Sequence, residues 1–257
     1  MLSQVIRVLT RPGRIHSGEG CAKQQGLALH IEPRVTQEDR FVLRQLLEKV
    51  ARPGMVVVEI GSFLGNGSTR TMCETIGPLG GALYCVDTWR GNDNVEWHQQ
   101  LARTHDLFNT FRHNVGVFGA TPTVKPLLMT SLDAARIFAD ETADLVFIDG
   151  DHAYQGVKQD IEIWRRKVRQ GGILCGHDCE GRTDEFGEER VRRHCDEDFV
   201  RLNGHTFAGF HPGPVRAVAE LLGPAAVLWC HQDLSAHGHQ GRRSSIWHVM
   251  VKEAHKF

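Results

Sequence analysis

Apolar residues recur along this chain in two alternating periods, and the alternation predicts the architecture. Val42, Leu46, Leu47 and Val50 repeat at helical spacing behind Thr36, Gln37, Glu38 and Asp39, a helix start with acids in its first turn. Pro53-Gly54 ends that helix. Short apolar runs of strand length follow at 55–60, 82–86, 124–129, 145–148 and 173–175. Between them, helices are predicted near 67–76, 95–114, 132–138 and 154–169, the last with Val157, Ile161, Trp164 and Val168 on one face. Apolar strands alternating with helices predict a parallel sheet covered on both faces. The pattern then changes. Residues 179–213 are charged and glycine-rich with no clear strand, and read as a long functional loop or lid. A helix near 213–222 precedes two strand-like runs, 226–230 and 246–251. No helix separates those runs, so they are expected to pair antiparallel at the sheet edge. Residues 1–35 show no sustained period and read as an arm or irregular cap, leaving 36–257 as a single domain.

Composition narrows the function. Thirty Lys and Arg oppose 31 Asp and Glu over 257 residues. That balance argues against a nucleic-acid partner, which calls for a basic face. No apolar run approaches the ~18–20 residues of a membrane span. Seven scattered cysteines with no C-x-x-C pair fit free thiols in a reducing compartment. Arg7, Arg11 and Arg14 give the N-terminus a weak transit-peptide character without a secretory apolar core, so the expected location is cytoplasmic. Of the 15 histidines, the group from His205 to His255 fits no standard metal-ligand spacing and reads as a histidine-rich surface. A homo-oligomer is compatible with the sequence but not required by it.

The most informative stretch runs from Val56 through Glu59, Gly61, Ser62, Gly65 and Gly67 to Ser68-Thr69. It is a strand entering a glycine-rich turn that opens a helix, at the sheet end where open α/β folds bind ligands. Its spacing is G-x-x-x-G-x-G, neither the dinucleotide G-x-G-x-x-G nor the triphosphate loop ending in G-K-[ST]. The next strand ends at Asp87, where an acid can accept both hydroxyls of a ribose. Trp89 suits packing on an adenosine or in the core. Asp149, Asp151 and His152 follow the fourth strand, and His177 and Asp178 follow the fifth. Adjacent parallel strands lie ~4.8 Å apart, so Asp149 and Asp178 can share a ligand. Two carboxylates that close repel unless protonated or bridged by a hard divalent cation.

An acid followed by G-x-x-x-G resembles the first motif of class I S-adenosylmethionine-dependent methyltransferases. The hydroxyl residues Ser68 and Thr69 are similar to those of the catechol-type O-methyltransferases. The I-D-G-D-H and G-H-D segments resemble the macrolide-sugar O-methyltransferases, and the likeness covers roughly 50–252. It implies a Rossmann-like seven-stranded, mostly parallel sheet with an antiparallel edge hairpin. It also implies S-adenosylmethionine contacts at Glu59, Gly61, Ser62, Gly65, Ser68, Asp87, Thr88, Trp89, Ser131 and Asp149, with Glu59 suited to the cofactor ammonium. Ser131 also suits an ordinary helix cap. Magnesium is implied at Asp149 and Asp178. The third family ligand, Asp or Asn, is Cys179 here, a poor magnesium donor, which leaves water, Asp151 or His177 to complete the shell. His152 matches a proposed general base, and its reference pKa near 6.5 suits that role. It can equally be a structural hydrogen-bonding group. The implied activity is methyl transfer to a hydroxyl of a small molecule, with Asp149 and His152 catalytic. The alternative is a non-catalytic module that binds S-adenosylmethionine for regulation or assembly.

Overall fold

The computed structural model describes residue 31 and residues 35–92, 95–203, 208–228 and 243–252. The expected arm at 1–35 lies almost wholly outside them, as do most of the histidines from His205 onward. The described residues from Val35 onward form one compact unit.

In chain order the elements are α1 (Gln37–Lys49), β1 (Val56–Ile60), α2 (Ser68–Ile76), β2 (Ala82–Asp87), α3 (Glu96–Thr104), α4 (Leu107–Val117) and β3 (Val124–Leu128). There follow α5 (Ser131–Ile137), β4 (Ala143–Ile148), α6 (Tyr154–Arg165), β5 (Val168–Gly176), α7 (Thr183–Phe186) and α8 (Glu188–Arg193). The last are β6 (Val200–Arg201), β7 (Gly209–Phe210), α9 (Pro212–Leu221), β8 (Val227–Leu228) and β9 (Trp247–Met250). Seven strands form one sheet in the order β3-β2-β1-β4-β5-β9-β8. Strands β1 to β5 pair parallel, and β9 runs antiparallel to both β5 and β8.

The pattern of side chains explains this order. β4, with sequence ADLVFI, is buried at every position and sits at the centre between β1 and β5. β3 carries Pro126, which cannot donate to a ladder, and it lies at the edge where that donor is not missed. β9 rather than β8 contacts β5: Trp247, His248 and Val249 are buried, whereas Val227 of β8 is exposed. At the N-terminal strand ends, the fully buried Asp144 accepts from Arg52 Nε at 2.5 Å, Arg169 Nε at 2.6 Å and the Val56 amide at 2.7 Å. One carboxylate thereby ties β1, β4 and β5 together, away from the glycine-rich turns.

Three expectations change. The helix expected at 95–114 is two helices, because His105 turns extended and Asp106 caps α4 through the Asn109 amide at 3.0 Å. The helix predicted at 154–169 stops at Arg165, and Val168 opens β5, whose irregular register before Ile173 carries the strand to Gly176. The segment read as a lid without regular structure holds α7, α8 and the β6–β7 hairpin. Phe186 and Phe210 anchor it, stacked with ring centroids 4.3 Å apart. Among the described residues, no helix is long and apolar enough to cross a membrane.

Candidate active site at the strand ends

The turn after β1 is shaped by close backbone approach. Gly61 has φ +85°, and a Cβ there would lie 2.0 Å from the Asp149 carbonyl oxygen. The Asp149 amide donates to Ile60 O at 2.8 Å and the Gly61 amide to Val86 O at 2.9 Å, so the ends of β1, β2 and β4 are locked together. Gly65, at φ +72°, makes room for the Phe111 ring.

Glu59 is fully buried inside this turn. Its carboxylate accepts from the hydroxyls of Ser62 at 2.7 Å and of Ser68 and Thr69 at 2.6 Å each. Burial nonetheless pushes its carboxyl up, against those three donors. The sequence placed Glu59, Ser62, Gly65 and Ser68 at the cofactor. None of the four lines the cavity: the Ser62 and Ser68 hydroxyls turn to the buried Glu59, and Gly65 packs against Phe111. Their effect is on the turn's shape.

The turn borders a cavity of about 360 Å³ lined by Gly61, Asp87, Thr88, Trp89, Ser131 and Asp149, among other residues. Asp87 Oδ2 accepts from the Phe63 amide at 2.8 Å and Oδ1 from the Trp89 amide at 2.6 Å, which fixes the carboxylate at the end of β2. Trp89 adopts φ +50° and donates from Nε1 to Phe63 O at 2.7 Å. Its ring packs on Phe108 and Phe111 with centroids 4.8 Å away. Ser131 begins α5 rather than capping it; Thr130 is the cap. The Ser131 hydroxyl accepts from Trp164 Nε1 at 2.7 Å and donates to Asp160. Burial pushes Asp160, a cavity residue that sequence reasoning missed, up to about 7.

Beside the cavity, the residues after β4 and β5 meet. Asp178 is ringed by three imidazoles: His152 Nε2 at 3.0 Å, His177 Nδ1 at 3.0 Å and His211 Nδ1 at 3.4 Å. Asp149 Oδ1 lies 3.6 Å from His177 Nδ1. Carboxylates flank the far sides: Asp198 at 2.6 Å from His152 Nδ1, and Asp39 at 3.2 Å from His177 Nε2. Glu180 pairs with His211 Nδ1 at 2.6 Å. Burial lowers the affinity of His152 and His177 for protons, but the surrounding carboxylates, Asp178 first, outweigh it and hold both well above their usual range. Burial and the charge of Asp178 push Asp149 up to about 7 against the opposing charge of His177, while the three imidazoles hold Asp178 low.

Two expectations are corrected here. His152 does not titrate near its reference value in this setting, since two acids grip its ring. Nor is His211 part of a solvated surface; it is enclosed beside Asp178 and Phe199, as His248 is enclosed elsewhere on β9. Cys179 points into the apolar core and donates to Gly181 O at 3.6 Å, with burial pushing its thiol up. Asp151 lines the cavity and accepts from the Ala153 amide at 3.0 Å, outside the clusters of potential metal ligands. Asp39, Asp198 and His211 were also missed. Asp39 looks like an ordinary first-turn acid, and it fills that role while also facing His177.

Residues 58–179 match the family described as a methyltransferase domain. Three solved structures share the fold at 15–19% identity. The O-methyltransferase NovP has a TM-score of 0.53, at 15% identity over 84% of this chain and 80% of its own. The O-methyltransferase of Bacillus cereus, in complex with SAH, has a TM-score of 0.50, at 18% identity over 85% of this chain and 83% of its own. Cofactor-bound Rv0187 from MTB has a TM-score of 0.53, at 19% identity over 86% of this chain and 84% of its own. The family match and the fold agree: residues 58–179 are similar to a methyltransferase domain, set on a seven-stranded sheet with acids at its strand ends. A curated relative, the protein y4gI of Sinorhizobium fredii, is 27% identical over 134 residues, 51% of this chain. The match spans only 14% of that relative's length.

Proposed function

We propose that the protein transfers a methyl group from S-adenosylmethionine to a hydroxyl of a small molecule, with a divalent ion assisting. The observation that carries this reading is the junction of two sites at Asp149. It lines the nucleoside-sized cavity and also belongs to the cluster of Asp149, His177 and Asp178 whose ligand atoms lie within 4.8 Å of one another.

Asp87, fixed at the end of β2 by the Phe63 and Trp89 amides, is an acceptor suited to a ribose diol. Thr88 and Trp89 wall the adenosine side, and Gly61 borders the cavity at the end of β1. S-adenosylmethionine supplies an electrophilic methyl on a sulfonium. As the new C–O bond forms and the S–C bond breaks, the acceptor's hydroxyl proton passes to a base, the role this reading gives to His152, whose Nε2 sits 3.0 Å from Asp178 Oδ2 beside the cavity. Asp198 at Nδ1 orients that ring and stabilises the imidazolium that results. Asp149 and Asp178 would hold a divalent ion here, and its positive charge would acidify the hydroxyl and offset the carboxylates around His152. The balanced charge of the chain supports a small-molecule acceptor over a nucleic acid.

The test is labelled-methyl transfer to a panel of hydroxylated small molecules, with and without chelator, alongside calorimetry of cofactor binding. Transfer to a hydroxyl that chelation reduces supports the reading. Cofactor binding with no transfer to any hydroxyl refutes it in favour of a non-catalytic binding module. With an acceptor in hand, His152→Ala should slow turnover ~10²–10⁴-fold while cofactor affinity is unchanged. Wild-type turnover across pH 6 to 9 would make His152 structural.

A further inference from the structure

The donors gathered at the ends of β4 and β5 are not the all-oxygen set that magnesium requires. Cys179, next after Asp178, is 2% exposed in the apolar core and belongs to none of the ligand clusters among the described residues. His177, on the other side of Asp178, offers a nitrogen instead. Its Nδ1 lies 3.0 Å from Asp178 Oδ1 and 3.6 Å from Asp149 Oδ1. Bonds of about 2.0–2.2 Å to a borderline divalent ion set neighbouring ligand atoms about 3.0–3.5 Å apart, so these spacings need little adjustment.

The ring is also oriented for the task. Nε2 lies 3.2 Å from Asp39 Oδ2, an ion-pair contact rather than an aligned hydrogen bond, so the carboxylate acts on the ring through its charge. A carboxylate behind an imidazole favours N–H on that side and leaves the other nitrogen as the donor, the arrangement that metal-binding histidines use. Asp39 cannot swing away, since its Oδ1 accepts from Ser244 Oγ at 2.7 Å and the Ser245 amide at 3.0 Å. Asp178 adopts φ +61°, a left-handed conformation that aspartate tolerates better than most residues.

We propose that this centre is built for a divalent transition ion of the manganese, iron or zinc kind rather than magnesium, with His177 Nδ1 as a ligand beside Asp149 and Asp178. Imidazole suits those ions, whereas magnesium favours oxygen and dehydrates reluctantly. The proposal rests on the metal-assisted reading above but concerns binding alone.

Relative affinity cannot decide it, because mixed N/O sites in general prefer transition ions to magnesium. The direct reading is nitrogen coupling. Chelator-stripped protein is loaded with Mn²⁺ alone and examined by pulsed electron paramagnetic resonance. A ¹⁴N coupling from imidazole is expected in the wild type and should disappear in both His177→Asp and His177→Gln. His177→Asp, which restores an oxygen donor, should also narrow the preference for Mn²⁺ over Mg²⁺ at least tenfold. Calorimetry with S-adenosylhomocysteine checks that each variant is folded. Absence of bound Mn²⁺, bound Mn²⁺ without nitrogen coupling, or coupling that survives both substitutions overturns the proposal. A nitrogen-coupled ion in a protein that methylates no hydroxyl leaves this inference standing and removes only the functional reading.

Discussion

Asp160 provides a quantitative test of how the cavity wall is built. It is 5% exposed, its carboxylate is bonded to the Ser131 hydroxyl, and burial pushes it from 3.8 up to about 7. A carboxyl whose folded pKa is raised is fully compatible with folding below its unfolded value, near 4. As pH rises from there to about 7, the unfolded chain releases the proton first and stability falls. One pKa unit is worth ~1.4 kcal/mol, so this group should remove about 2–3 kcal/mol of stability between pH 5 and pH 8. Asp160→Asn keeps the acceptor for Ser131 and cannot ionise. Urea unfolding of both proteins at the two pH values isolates the effect, because every other titrating group is common to both. The variant should gain about 2–3 kcal/mol on the wild type in going from pH 5 to pH 8. An equal difference at both values would refute the argument and show that Asp160 titrates normally, through water or a cation reaching it.

The other predictions address the frame and the cavity. Asp87→Ala should weaken binding of S-adenosylhomocysteine by ~1.5–3 kcal/mol in calorimetry, through loss of charged hydrogen bonds; unchanged affinity would move the ribose elsewhere. Gly61→Ala puts a methyl group 2.0 Å from a backbone oxygen at φ +85°, and should cost on the order of 3 kcal/mol of stability in thermal unfolding together with measurable cofactor binding. Asp144→Ala strands the Arg169 and Val56 donors, at a cost on the order of 3 kcal/mol. Because Asp144 sits at the opposite strand ends, cofactor affinity should survive, and a loss under 1 kcal/mol would show the network to be dispensable.

Much of the fold was legible from local signals. Val56–Ile60 and Ala143–Ile148 are apolar enough to announce strands buried on both faces, and the turn glycines announce a ligand end of the sheet. Asp87 and Asp149 could be placed at that end because a parallel βα repeat puts every such turn on one side. What each side chain does there depended on neighbours distant in sequence. Glu59 looks like a cofactor acid until Ser62, Ser68 and Thr69 close on it inside the turn. Cys179 looks like a defective metal ligand until the core takes its sulfur and His177 is seen on the other side of Asp178. The role of Asp39 requires Ser244, 205 positions away, and that of His152 requires Asp198. Periodicity and turn chemistry act over a few residues, so the sequence alone determined the elements and the end of the sheet that matters. Desolvation and charge act through space, and only the tertiary structure decided which acids, imidazoles and thiols share the site.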